Sequence, residues 1–129
     1  MAVVYDDMYL EPMGAFRRMK MSHLIADSDE ELHAMADLIG VARRWHQAPP
    51  KASHSHYDIA MCKREQAIEA GAIPITLRQC SAMCSRRRLT GQLGLPDEAL
   101  DWLRSWREAH AAEKAAAEPA VSIEPQPGI

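Results

Sequence analysis

The chain has 129 residues, 47% of them apolar, and a formal net charge of −3. That is enough chain for one domain with its own core, and the charge balance argues against a dedicated nucleic-acid binder. Its three cysteines lack the dense spacing of a disulfide scaffold, and no apolar run approaches the length of a membrane span.

Ala2 to Tyr5 is β-branched and aromatic and predicts a first strand, stopped by Asp6-Asp7. Glu11 to Arg18, holding Pro12 and Gly14, predicts a loop. His23 to Ala26 is a short apolar second strand. Ser28-x-x-Glu31 then opens a helix, with Asp29 and Glu30 at its positive end. Leu32, Met35, Ala36 and Ile39 form the buried stripe of that helix, and Gly40 stops it. Val41 to Gln47 alternates as a third strand would, and Ala48 to His56, with Pro49-Pro50, is a polar loop. A second helix is expected from about Asp58 to Ala70, closed by Gly71. Ala72 to Ile75 predicts a fourth strand, placed at an edge because Pro74 cannot donate to a ladder.

Thr76 can cap a third helix over Leu77 to Leu89, ended by Gly91. Pro96 and Asp97-Glu98 start a last helix with Ala99, Trp102, Leu103 and Trp106 on one face. The expected organisation is an α/β domain over 1–91, an amphipathic C-terminal helix over 92–118 and a disordered tail over 119–129. Strands alternating with helices imply a small, mostly parallel, four-stranded sheet with packed helices. The N-terminus has no basic stretch, and Asp6-Asp7 interrupt its apolar run, so a cytoplasmic protein without a signal peptide is expected.

Polar, chemically capable residues gather where these elements end. Asp6 or Asp7 suits a divalent ion such as Mg²⁺, or simply a turn. His23 could act as a base, with Asp27 orienting it or capping the next helix. Trp45 is either a stacking platform or a large core residue, and Gln47 beside it could read a ligand's edge. His56, Tyr57 and Asp58 precede the expected second helix, whose first turns carry Lys63 and Arg64. Free N–H donors and cations together describe an anion site; an Asp58 cap with a solvated basic face accounts for the same pattern. Cys80 and Cys84, one helical turn apart, with His54 and His56 match a zinc set of two cysteines and two histidines. They equally trace a buried stripe with Leu77 and Met83. The chain has no G-x-S-x-G, Gly-rich phosphate loop, H-E-x-x-H or HD signature.

Several motifs together resemble a small bacterial and phage family, catalogued as domain of unknown function 4031. They are Val4-Tyr5 with Asp6-Asp7, Ser22-His23-Leu24-x-Ala26-Asp27, Glu30-Glu31-Leu32-His33-Ala34, Trp45-x-Gln47, His56-Tyr57-Asp58, Lys63-Arg64 and Gly71-Ala72, spanning about residues 3–76. The resemblance implies no established activity. It implies a domain found in phage genomes and bacterial proteins, sometimes beside phosphohydrolase domains, which makes nucleotide-like ligands an expectation by analogy. Met13 to Met21 and the Arg-rich third helix resemble phage members most.

The resulting expectation is a phage-encoded protein in the host cytoplasm that binds a phosphorylated small molecule, with metal-assisted hydrolysis as the first chemistry to test. Lys63 and Arg64 would hold phosphate, and Trp45, Gln47 and Tyr57 would contact base or ribose. Asp6 or Asp7 would hold the divalent metal, while His23, His56 and Asp58 would move protons. The alternative is a module without turnover that sequesters a nucleotide signal or grips a host protein.

Overall fold

A computed structural model describes residues 3–16 and 19–113. The expected tail over 119–129, and the C-terminal helix beyond 113, lie outside the described residues. The strands are β1 (Val3–Tyr5), β2 (Ala15–Phe16), β3 (Met19–Ala26), β4 (Tyr57–Ala60) and β5 (Ile73–Pro74). The α-helices are α1 (Asp29–Leu38), α2 (Met61–Glu69), α3 (Leu77–Thr90) and α4 (Pro96–Ala109). Short 3-10 turns occupy Met8–Leu10, Pro12–Gly14 and Arg43–Trp45.

β3 is the organising strand. It pairs antiparallel with β2 through Met19 and Lys20, with β4 through Met21 to Leu24, and with β1 through Leu24 to Ala26. Only β1 and β5 pair in parallel among the described residues. The fold is thus α/β, as expected, but the five-stranded sheet is mostly antiparallel and the four-stranded parallel sheet is corrected. The reason is connection length. Parallel neighbours need a crossover of a dozen or more residues, whereas β1 reaches β3 through two tight turns and the short β2 hairpin.

Alternation sorts the side chains onto two faces. Tyr5, Leu24, Ala26, Tyr57 and Ile59 pack beneath α1 and α2 with Leu32, Ala36 and Ala67. Val4 and Ile25 face the other way, against Cys80, Met83 and Cys84 of α3 and Ala99 of α4. Local signals set the helix starts. Ser28 Oγ accepts from Glu31 N at 3.2 Å, and Thr76 with Gln79 forms a reciprocal capping box at 3.0 and 2.8 Å. Gly91 closes α3 in the left-handed region at φ 87°.

Several expected elements change. The second strand begins at Met19 and not His23, and the loop expected over Glu11 to Arg18 contains β2. Val41 to Gln47 is not a strand, because β4 already occupies the neighbouring edge of β3. Arg43 instead turns outward to Asp37, and Gln47 makes an isolated bridge to His56. The second helix starts at Met61 and not Asp58. Tyr57 and Ile59 are buried at a two-residue period and belong to β4.

Candidate metal and ligand site

Residue parity assembles the site. Asp6 follows Val4, and His23 precedes Ile25, so both carboxylate and imidazole fall on the α3 side of the sheet. The antiparallel register sets Asp58 opposite His23. The Gln47–His56 bridge draws in His56, and His54 stands two residues before it. Cys80 and Cys84 approach from α3. One ligand atom each from His23, His54 and His56 lie within 4.8 Å of one another, and so do Asp6, His23 and Cys80.

Each histidine has its Nδ1 engaged. His23 Nδ1 donates to Asp6 Oδ2 at 2.6 Å, His56 Nδ1 donates to the His54 carbonyl at 3.0 Å, and His54 Nδ1 meets Ser53 Oγ at 3.1 Å. A carboxylate or carbonyl can only accept, so at His23 and His56 the proton sits on Nδ1 and the Nε2 lone pair is exposed in the neutral ring. His23 Nε2 lies 3.9 Å and His56 Nε2 3.4 Å from Asp58 Oδ1. That Oδ1 and His54 Nε2 are buried yet lack a well-formed hydrogen bond. Gln47 Nε2 donates to the other Asp58 oxygen at 3.0 Å. Imidazoles oriented through Nδ1, with Nε2 atoms converging, are the arrangement a transition-metal ion needs.

Electrostatics follow from this packing. Burial opposes ionisation of Asp6. The hydrogen bond and charge of His23, with the N–H groups of His23 and Met8, outweigh it and hold the carboxyl below its ordinary range. Burial likewise opposes charge on Asp58, but His56, Gln47 and His23 keep it ionised. His56 loses hydration to burial, yet Asp58 and the His54 carbonyl raise its pKa. A cation entering the cluster would replace that proton. Cys84 is drawn toward the thiolate, chiefly by the Cys80 S–H, against burial and with help from His54 and His23. Cys80 is pushed upward by the same partner.

A cleft of about 580 Å³ opens over His23 and Asp58. Its walls are apolar and thioether-rich: Met8, Met13, Phe16, Met19, Met21 and Trp45. Gly14 lets this wall close, since a Cβ there would sit 2.1 Å from the Met8 carbonyl oxygen. A second cavity of about 430 Å³ under Gly91 to Pro96 is mainly apolar, and no residue of the cluster lines it.

Of the residues expected from sequence, Asp6, His23, His56 and Asp58 come together, with Gln47 beside them and Trp45, 56% exposed, on the cleft wall. Asp7 goes elsewhere, accepting from Leu77 N at 2.6 Å and holding the start of α3. Tyr57 is fully buried on the opposite face, its hydroxyl 2.6 Å from His33 Nδ1. His33 is thus tied to Tyr57, while Asp37 pairs with Arg43. Arg64 stacks over the rings of Tyr5 and Tyr9 at 4.9 and 4.8 Å. Lys63 lies against Gly40 at the end of α1. With the helix starting at Met61 behind an uncapped Ala60, the expected anion site at His56-Tyr57-Asp58 does not form. His54 was legible as a partner of His56, because residues two apart in extended chain share a side.

A separate network moors the loop that carries His54 and His56. His46 Nε2 meets Ser55 Oγ at 2.8 Å, and Ser55 donates to Asp29 at 2.6 Å. Burial and the neighbouring His33 keep His46 neutral below its ordinary pKa.

Fold and site define an α/β domain with a histidine-rich cluster on one face of a mixed sheet. Residues 4–87 match the model of a family described as protein of unknown function, DUF4031, and the chain belongs to that family. The match spans every residue of the cluster. No curated protein and no solved structure matches the chain. No helix among the described residues is long and apolar enough to cross a membrane.

Proposed function

We propose that this domain is a metal-dependent hydrolase of a small, nucleotide-like molecule. The observation that carries this reading is the convergence of His23, His54 and His56 on one another, with Asp58 facing His23 and His56, beside an apolar cleft that His23 and Asp58 line. His23, His54 and His56 would hold the ion, a donor set suited to zinc-class cations more than to Mg²⁺, which takes oxygen ligands. An ion bound there would supply an acidified water and a Lewis acid for the phosphoryl group. Asp58, ionised and oriented by Gln47, accepts the water proton as the oxygen attacks, then returns it to the departing oxygen. Trp45 and Phe16 flank the cleft and take the flat base. Lys63 and Arg64, held against Gly40 and the Tyr5 and Tyr9 rings, have no part in this scheme.

The test strips the purified chain with EDTA and reloads it with Zn²⁺, Mn²⁺, Co²⁺ or Mg²⁺. It is then incubated with nucleotides and nucleotide monoesters, and products are read by mass spectrometry. Ion-dependent product that disappears in His23→Ala and His56→Ala is expected. Stoichiometric ligand binding without product would assign the same cleft to sequestration. A chain that retains no ion and yields no ion-dependent product overturns the proposal.

A further inference from the structure

The hydrolytic scheme uses only one side of the His23 ring. Its Nε2 faces Asp58 Oδ1 at 3.9 Å, whereas its Nδ1 lies 2.6 Å from Asp6 Oδ2. Cys80 comes down from α3, and one ligand atom each of Asp6, His23 and Cys80 lie within 4.8 Å of one another. Three elements supply this inner group: Asp6 directly follows β1, His23 lies within β3, and Cys80 is on the first turn of α3. Asp7 sets their spacing, because its carboxylate accepts from Leu77 N at 2.6 Å and so fixes the start of the helix that carries Cys80. Asp6 and Cys80 are buried, at 1% and 2% exposure. The N–H groups of Met8 and His23 take Asp6 Oδ1, which leaves Oδ2 turned to the ring. The plain alternative is a carboxylate that orients a histidine beside a core cysteine, and Cys80 does pack with Val4, Ile25 and Leu93. That alternative explains the Asp6–His23 bond. It gives no reason for a sulfur within ligand reach of both its ends.

We propose that Asp6 Oδ2, His23 Nδ1 and the Cys80 sulfur hold a second, buried cation of the zinc class, with the His23 ring bridging it to the ion of the three-histidine site. This inference rests on the metal site proposed above and extends it to a two-ion centre. Carboxylate oxygen, imidazole nitrogen and thiolate sulfur together suit zinc-class cations and not magnesium. The incoming divalent cation displaces two protons, one from the Cys80 thiol and one from His23 Nδ1. The buried charge is therefore unchanged, and loading leaves no uncompensated ion in the core. Asp6 Oδ2 and His23 Nδ1, joined through a proton at 2.6 Å, move apart to make bonds of about 2.0–2.2 Å to the ion. Such an ion ties β1, β3 and α3 together behind the ring that lines the cleft. Its role is to anchor His23, and the chemistry stays with the outer ion.

The test loads the EDTA-stripped full chain with Co²⁺ and counts the ions retained per chain by plasma mass spectrometry after gel filtration. It also reads the intense near-ultraviolet charge-transfer band that a Co²⁺–thiolate bond produces and nitrogen and oxygen ligands do not. The expected result is two ions with the band in the wild-type chain and one ion without it in Cys80→Ser. Cys84→Ser should keep two ions and the band, with folding of each variant followed by thermal unfolding. Should Cys80→Ser fail to fold, the double variant His54→Ala with His56→Ala removes the outer site and should keep one ion and the band. One ion without the band in the wild-type chain would overturn the inner set and leave the three-histidine site standing. One ion with the band would overturn the two-ion centre. A band that survives in Cys80→Ser, or is lost from a folded Cys84→Ser or from the double histidine variant, would overturn the assignment of Cys80. A chain that takes up no Co²⁺ would overturn both sites together.

Discussion

Replacing Asp6 by Asn separates what this carboxylate does for the fold from what it does for the site. Asp6 is 1% exposed and accepts three hydrogen bonds, from Met8 N at 3.0 Å, His23 N at 2.9 Å and His23 Nδ1 at 2.6 Å. Asn keeps the volume and can keep the two backbone bonds through its carbonyl. It loses the charge-assisted bond to the ring, at a cost of about 1.5–3 kcal/mol. The amide N–H₂ would then face Nδ1, so His23 must accept there and carry its proton on Nε2. That tautomer has no lone pair for the ion. Loss of such an orienting partner lowers metal affinity by about 10–100-fold. Urea unfolding in EDTA measures the first effect, and competition titration with a chromophoric chelator measures the second.

The pH dependence supplies a check on sign. The folded pKa of Asp6 lies below its unfolded value of 3.8. Its contribution is therefore complete above that pH and is lost as pH falls through the folded value. The stability gap between wild type and Asp6→Asn should be flat near neutrality and narrow below about pH 4. A folded variant with unchanged ion affinity would refute the tautomer argument. A gap that widens in acid would refute the electrostatic one.

Tyr57→Phe should lose about 0.5–1.5 kcal/mol of stability through the missing bond to His33, measured by urea unfolding. Ion binding and turnover should not change, since that ring packs on the far face of the sheet. Trp45→Ala, at an exposed position, should stay within about 0.5 kcal/mol of wild-type stability. It should weaken the binding of a nucleotide by about 1–3 kcal/mol in calorimetry if the base stacks there. Gly14→Ala drives a methyl into the Met8 carbonyl and should cost about 1–3 kcal/mol, together with a raised KM as the Met13–Phe16 wall shifts.

What the sequence made legible divides along the reach of the forces involved. The Ser28 and Thr76 caps and the Gly91 stop act within one helical turn, and each was readable from three or four residues. Strand direction depends on partners far along the chain. Nothing local in Met19 to Ala26 tells that one strand will serve three neighbours. β4 was hidden because Tyr57-Asp58-Ile59-Ala60 is only four residues long and runs straight into good helix formers. That one misassignment carried Lys63 and Arg64 into an anion site that does not exist. It also gave Tyr57 a ligand role which alternation excludes once the strand is known. Asp6, His23, His56 and Asp58 could be grouped because polar residues at strand ends are conspicuous in any register. The ligand set proposed for an ion could not, since it depends on which ring nitrogen each neighbour occupies.

Arg87 spans two acceptors with one planar fork, giving one N–H to the Ala26 carbonyl at 2.9 Å and another toward Asp29 Oδ1 at 3.4 Å. Asp29 in turn grips Ser55. The far end of α3 thus acts as a cleat to which the last residue of β3, the first turn of α1 and the histidine loop are all tied. A lysine there has a single ammonium where the fork was. It can satisfy the carbonyl or the carboxylate, and whichever it abandons slackens a rope whose other end is fastened between two imidazoles.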